Sequence, residues 1–358
     1  MKIAILGVNP AARVFLNALA SDGVDFEELT YAITPSISSR ASYLNEEFLE
    51  DVVKESDLVI NSLPKDFSRR ALLISKKLCK NFISTVQITE DLGELSSNEC
   101  SSIFIPCLNI APGLSSIIAG RILSLMEELF ELNIYFGGLS KISKETECTA
   151  ILSSIEEFLS ECSTKAKALI NGVLVELDPL SSVSSIEVPR IGSLWAVRVD
   201  RLGTLIQSVG NVARNASISA FRLICYNAVE YLRKLRALLL AEPSSSELLP
   251  RGELEAESEK FIGIDHEFLL YVKSRGVIEG AIKGVEYFIK ATYDYSNKIS
   301  ASHSLEGLTL YAVVRALLID NLWNARGLIL PELIGMNEGA FTYILAKLVE
   351  KGIEVRVL

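Results

Sequence analysis

The stretch Met1-Lys2-Ile3-Ala4-Ile5-Leu6-Gly7-Val8-Asn9-Pro10-Ala11-Ala12 opens the chain. Ile3 to Leu6 is an unbroken apolar run, as a strand buried on both faces requires. A turn with one glycine follows, then a segment where Asn9 can cap a helix and Pro10 suits its first turn. In a nucleotide-binding βαβ unit this turn meets the pyrophosphate, and its usual form is G-x-G-x-x-G/A. Gly7 and Ala12 suit the first and last positions, while Asn9 replaces the middle glycine. A side chain there narrows the approach to the backbone, although Asn is the residue other than glycine that best tolerates φ > 0. The helix N-terminus should still offer N–H groups and partial positive charge to a phosphate. Gly7, Asn9, Pro10, Ala11 and Ala12 are therefore expected to line a cofactor. A single-glycine turn is a weak signal by itself, since parallel α/β domains often lack a nucleotide site.

The alternation continues outward from this turn. Strands are expected at Leu29 to Thr34, Asp57 to Ser62, Phe82 to Val86 and Ile103 to Ile105, with helices at Glu46 to Glu55 and Phe67 to Cys79. This pattern implies an α/β, doubly wound parallel sheet, whose ligands sit beyond the carboxyl ends of the strands. Asn61, Leu63 and Pro64, with Ser84 and Gln87, occupy such ends. Pro112-Gly113 marks a change of style. A helix is expected from Gly113 to Leu129. A mixed region follows, with strands at Asn133 to Phe136, Gly172 to Leu177 and Trp195 to Val199, and helices at Ser154 to Leu159 and Ala220 to Leu240. Ala241 to Lys260, rich in Glu and Ser with two prolines, is expected to be an exposed connection. Gly276 to Gly284 and Val285 to Tyr293 suggest a hairpin. Helices at Leu308 to Leu322 and Gly339 to Lys351 and a strand at Glu354 to Val357 close the chain.

The 358 residues suffice for two domains, and 49% hydrophobic residues can build a sizeable core. A net charge of −10 gives no basic footprint, so no nucleic-acid partner is expected. The longest apolar candidate, Leu114 to Met126, is interrupted by Arg121 and serines and falls short of the roughly 18 residues of a membrane span. The N-terminal apolar run is too short for a signal peptide, so a cytoplasmic location is expected. Cys79, Cys100, Cys107, Cys148, Cys162 and Cys225 stand far apart without a C-x-x-C pair. Reduced cysteines acting as small apolar residues are expected. With only His266 and His303, no metal site is expected.

An NAD-binding unit usually carries an acidic residue near the end of its second strand, for the ribose hydroxyl. Thr34 stands there, followed by Ser36, Ser38 and Arg40. With no carboxylate to repel a 2′-phosphate, NADP is expected over NAD. The plain alternative is that Arg40 is a surface charge on a polar loop.

The chain resembles the saccharopine dehydrogenase family, which includes lysine 6-dehydrogenases. Asp57 to Pro64 resembles its D-x-V-I-N-x-x-P segment, and Ala111 to Ser115 with Ala119-Gly120 its A/D-P-G-L-S…A-G segment. Gly137-Gly138-Leu139 resembles G-G-L/I. Asp200, Leu202, Thr204 and Leu205 partly match D-G-L-x-T-L. Ser304 to Gly307, Ala312 to Leu318 and Gly327 to Pro331 resemble the closing helix and the G-V-x-P-P-E stretch. The resemblance implies a Rossmann-like domain over 1–113, completed by 305–358, and an α+β substrate and dimerisation domain over 114–304. It also implies NADP or NAD as cofactor, a homodimer, and chemistry on the C–N bond of a lysine-related amino acid. The departures fall where chemistry is expected. Ser84 replaces a usual aspartate, Asn109 a usual glycine, Trp195 a common glutamate and Arg201 a common glycine. Val212 to Ser217 replaces L-R-Y-x-G-H. Each lost proton-transfer group typically costs about 10²–10⁴-fold in rate.

That reaction needs positioning, a base for the amine and a cation for the carboxylate. Asn109, Gly138 and Arg214 are the substrate-binding candidates, with Arg198 and Arg201 behind Arg214. Ser84, Gln87 and Asp200 are the catalytic candidates. Glu306 and His303 are further proton-transfer candidates, each with a structural role as the plainer reading. Two other readings stand beside the dehydrogenase. One is a non-catalytic relative that keeps the fold as a cofactor-sensing or partner-binding module. The other is a polyamine-type carbon–nitrogen synthase, whose cationic substrate an acidic surface would suit.

Overall fold

The computed structural model describes residues 1–7, 9–31, 46–88, 92–95, 100–140, 150–151, 161–224, 228–231, 233–234 and 264–358. They fall into two compact units. The first comprises Met1–Ser124, Gly203–Ser208 and Leu305–Lys351, and the second Leu125–Leu202, Val209–Ser304 and Gly352–Leu358.

The first unit alternates β1 (Lys2–Leu6), α1 (Pro10–Ser21), β2 (Glu27–Tyr31), α2 (Glu46–Glu55), β3 (Leu58–Asn61), α3 (Lys65–Lys77), β4 (Asn81–Ser84), β5 (Ile103–Ile105) and α4 (Leu114–Leu125). Its six strands run parallel in the order Gly327–Leu328, β5, β4, β3, β1, β2. The chain winds outward from β1 to β2, then returns to place β3 on the other side of β1. The crevice at such a reversal, beyond the carboxyl ends of β1 and β3, is where open α/β sheets bind ligands. Ala4, Leu6, Val59, Phe82 and Phe104 from the strands pack with Leu49, Val53, Ala71 and Leu72 from α2 and α3. The long helix α5 (Ala301–Val314) packs on α1 at Gly307, where a Cβ would lie 2.4 Å from Ala11 O and 2.6 Å from Val14 Cβ.

The second unit carries a ten-stranded sheet. Its main path runs Val183–Val188, Gly192–Val199, Ser217–Ile224, Glu128–Leu139, Glu267–Ile278, Ala281–Thr292 and Glu354–Val357. Tyr135, Phe221, Tyr271 and Phe288 stand opposite one another on four neighbouring strands and anchor its core.

Several expectations shift. Leu129 belongs to a strand, not to the preceding helix, because α4 ends at Leu125. Ala220 to Ile224 is strand; the run Ser217 to Ile224 is buried on both faces, and such a run has no helical or alternating period to read. The hairpin turns at Glu279-Gly280, five residues before the expected place. Both residues have positive φ (53° and 70°), as a tight two-residue turn requires. Glu354–Val357 pairs with Ala281–Thr292, so it joins the second sheet, not the first unit. The region 152–160 and the connection 241–260 lie outside the described residues.

The cysteine expectation is corrected at one pair: Cys79 and Cys100 form a disulfide, with Cα atoms 5.5 Å apart. They precede β4 and β5, which are adjacent parallel strands, so topology brings together residues 21 apart in sequence. Cys107 and Cys162 are buried and are not part of this disulfide. Cys148 and Cys225 lie outside the described residues. Among the described residues no helix is long and apolar enough to cross a membrane, and no cluster of potential metal ligands occurs.

Candidate functional site

The turn after β1 is built as the sheet requires and then closed by its own side chains. Gly7 has φ +95°, and a Cβ on it would lie 2.9 Å from Ser62 O. Only glycine fits both demands. Asn9 is extended (φ −138°, ψ 118°), so its tolerance of positive φ is not used here. Instead it serves as the N-cap of α1: its Oδ1 accepts from Ala11 N at 2.8 Å. Its backbone carbonyl accepts from Ala12 N at 3.0 Å. Its Nδ2 donates to Glu306 Oε1 at 2.8 Å and to Ser62 Oγ at 3.3 Å.

The fit to a dinucleotide diphosphate follows from this count of donors. The glycine, the helix start and the position at the sheet's reversal suit such a group. Two amides do not stand open to it as arranged. Pro10 has no N–H. The Ala11 and Ala12 N–H groups are bonded within the cap, and the Glu306 carboxylate, on a residue only 8% exposed, reaches Asn9. The expectation that this helix end keeps its free donors whatever its side chains is thus corrected. A rotation of the Asn9 carboxamide would free Ala11 N.

The ends of β3 and β4 form the other wall. Ser62 Oγ and Thr85 Oγ1 share a hydrogen bond at 3.0 Å, and Asn109 Nδ2 donates to Thr85 O at 3.3 Å. Asn61 and Ser84 are fully buried. Asn61 Nδ2 donates to Ser84 Oγ and Ser68 Oγ at 2.9 and 2.8 Å. Ser84 Oγ in turn donates to Val86 O at 2.7 Å. Ser84, a catalytic candidate from the sequence, is a fully buried strut between strand ends. Asn61 Oδ1 is buried with no partner among the described residues. Leu63 is fully buried, Pro64 caps α3 and Gln87 is half-buried.

Asp200, Gly138 and Arg214 lie in the second unit. Burial pushes the Asp200 carboxyl above its ordinary value, against the opposing pull of Lys167 and Arg201. Gly138 pairs with Phe268 in the sheet. Arg214 is exposed in the turn before Ser217–Ile224. Arg201 and Arg222 both pair with Glu161. Arg198 lies over the Phe221 ring at 5.1 Å. His303 Nδ1 bonds Ser300 Oγ at 2.7 Å, a contact at the start of α5. Thr34, Ser36, Ser38 and Arg40, on which the NADP preference rests, lie outside the described residues, as does Val8.

Glu306 was legible as a carboxylate but not as a neighbour of Asn9. The available signal was Gly307 beside it, which marks a close helix crossing.

No protein-family model matches the chain. Among solved structures it is similar to apo saccharopine dehydrogenase (L-Glu forming) from Saccharomyces cerevisiae, with 13% identity over 100% of this chain and 99% of that one and a TM-score of 0.75. It is more loosely similar to a DAP dehydrogenase from C. glutamicum solved with DAP (11% identity, 98% and 99% covered, TM-score 0.46). The first likeness shows that this chain has the fold of that dehydrogenase, so the resemblance read from the sequence is one of fold. The second is too loose to bear on the chain.

Proposed function

We propose that this chain is an oxidoreductase that uses NAD or NADP on the C–N bond of a lysine-related amino acid. The observation carrying the proposal is the whole-chain likeness to a saccharopine dehydrogenase, supported by a strand order that reverses at β1, where open α/β sheets bind ligands. The cofactor would supply or accept a hydride. Gly7, Ser62 and the start of α1 would hold its diphosphate once Asn9 releases Ala11 N. Asp200, whose carboxyl burial holds above its ordinary range, is the assigned proton acceptor for the amine. Arg214 is the assigned partner of the substrate carboxylate.

A second reading is favoured by one specific observation. Pro10 has no N–H, and the Ala11 and Ala12 amides are bonded within the cap as arranged. On that reading the chain keeps the fold as a binding module without chemistry. One experiment separates the two. The purified protein is titrated with NADPH and NADH while Trp195 and Trp323 fluorescence is followed. Reduced nicotinamide is then monitored by absorbance with lysine, saccharopine and diamines. Turnover with one of these supports the oxidoreductase, while absence of cofactor binding at millimolar concentration supports the module.

A further inference from the structure

We infer that Arg198 and Tyr135 form a carboxylate-binding site on the sheet of the second unit: the guanidinium takes the carboxylate end-on, and the phenol donates to it. The site stands apart from the dinucleotide reading above, and its ligand is a monocarboxylate.

Arg198 is a cation that the fold leaves without a counter-charge. It stands opposite Phe221, Phe221 opposite Tyr135, and Tyr135 opposite Tyr271, so the four side chains share one face of the sheet. The guanidinium carbon lies 5.1 Å from the centre of the Phe221 ring. The Phe221 and Tyr135 rings stack at 5.0 Å, 15° from parallel. A guanidinium carries five N–H donors. Among the described residues none of those of Arg198 is bonded, and Nε is buried without a partner. The side chain is nevertheless half-buried, not enclosed. The cations around it differ. Arg201 and Arg222 pair with Glu161, Lys167 with Asp200 and Lys273 with Glu286. Polar groups this far inside a native fold are paired as a rule, so an open arginine among matched charges is a place for a ligand.

Tyr135 supplies the second donor. It is 8% exposed, and its hydroxyl has no hydrogen bond among the described residues, whereas that of Tyr271 donates to Glu286. Burial and the Glu131 charge push the Tyr135 phenol up to about 12, against the pull of Arg198. The hydroxyl therefore keeps its proton at neutral pH and can donate it. Charge selects the ligand. One uncompensated cation matches a monoanion, and the planar pair of terminal N–H groups matches the two oxygens of a carboxylate. A phosphate dianion would keep a net negative charge near Glu131.

The test is calorimetric titration with butyrate, and with inorganic phosphate at equal ionic strength. The proteins all carry Arg214→Gln, so the residue assigned above to the substrate carboxylate contributes nothing. To this background Arg198→Gln and Tyr135→Phe are added singly, with circular dichroism as a check of folding. The expected result is butyrate binding in the background protein, weakened about tenfold or more by Arg198→Gln and about threefold or more by Tyr135→Phe. Phosphate is expected to bind at least about tenfold more weakly than butyrate. An affinity unchanged by either substitution overturns the two-donor site, as does absence of butyrate binding at tens of millimolar. Phosphate bound as tightly as butyrate overturns the ligand class. If Arg198→Gln fails the folding check, Tyr135→Phe, which keeps the stacked ring, decides alone. Each of these results is separate from NADPH binding, on which the dinucleotide reading is tested.

Discussion

Thr204 Oγ1 donates to Glu332 Oε2 at 2.9 Å, joining segments 128 residues apart. Ser208 Oγ donates to the other oxygen of the same carboxylate. Gly120 packs on the Glu332 carbonyl, where a Cβ would lie 1.9 Å from the oxygen, and Gly203 packs on Pro112. The segments around Pro112, Gly120, Thr204 and Glu332 are those whose sequence resembles the dehydrogenase family. In this chain they meet as a structural junction of the first unit.

Thr204→Val leaves a fully buried carboxylate one donor short and is expected to destabilise the protein by about 1–3 kcal/mol in urea denaturation. Burial raises the Glu332 carboxyl above its ordinary value of 4.5, against the hydrogen bonds from Ser208 and Thr204. A raised folded-state value means that the fold favours the protonated form. The associated stability is present at low pH and is lost as pH rises from about 4.5 through the folded value. Glu332→Gln is expected to remove that slope, so wild type loses stability relative to it as pH rises. A parallel pH dependence in the two proteins would contradict this.

The contrast between junction and crevice explains how much the sequence revealed. The alternation of β1 to β5 with their helices was legible because parallel strands buried on both faces leave short apolar runs between helical periods. The family-like segment at Ala119-Gly120 was legible because the close backbone crossing at Gly120 restricts residue type. The state of the crevice was not legible. It depends on a rotamer of Asn9 and on a helix 297 residues away, and no local pattern encodes such a meeting. The missing N–H of Pro10 was available in the sequence, but a proline that suits a first helical turn also removes a phosphate donor there.

Asn9→Ala is expected to lower stability by about 1 kcal/mol through loss of the α1 cap, whereas Asn9→Gly costs only a few tenths. Gly307→Ala places a Cβ 2.4 Å from Ala11 O and is expected to cost roughly 1–3 kcal/mol by prising α5 from α1. Guanidinium denaturation of the three variants checks the order. A Gly307→Ala protein as stable as wild type would show that the crossing is looser than described.

Asp22 ties α1 to the last helix. Its carboxylate accepts from Lys351 Nζ at 2.6 Å and from Tyr311 Oη. Burial pushes its carboxyl up, but the bonds from Lys351 and Tyr311 outweigh this and hold it below the ordinary value of 3.8. A lowered folded-state value contributes stability above the unfolded value, and that stability is lost as pH falls through the folded one. Asp22→Asn is expected to be less stable at neutral pH, with the difference from wild type shrinking below about pH 4. A difference that stays constant between pH 7 and pH 3 would contradict this.

The Cys79–Cys100 bridge closes a loop of 21 residues. Chain-entropy arguments give about 3 kcal/mol for a loop of this order. Thermal unfolding with and without reductant, and of Cys79→Ser, checks this. Both reduction and substitution are expected to lower the midpoint, and an unchanged midpoint would show that the bridge does not hold the fold.

Dinucleotide binding at the β1–α1 turn requires the Asn9 carboxamide to leave Ala11 N. A crystal structure of the protein soaked with NADPH tests it most directly. The expected result is diphosphate density at the start of α1, with the Asn9 carboxamide rotated off Ala11 N. A bound dinucleotide beside an intact bond from Ala11 N to Asn9 Oδ1 would contradict it, as would an unchanged turn without dinucleotide.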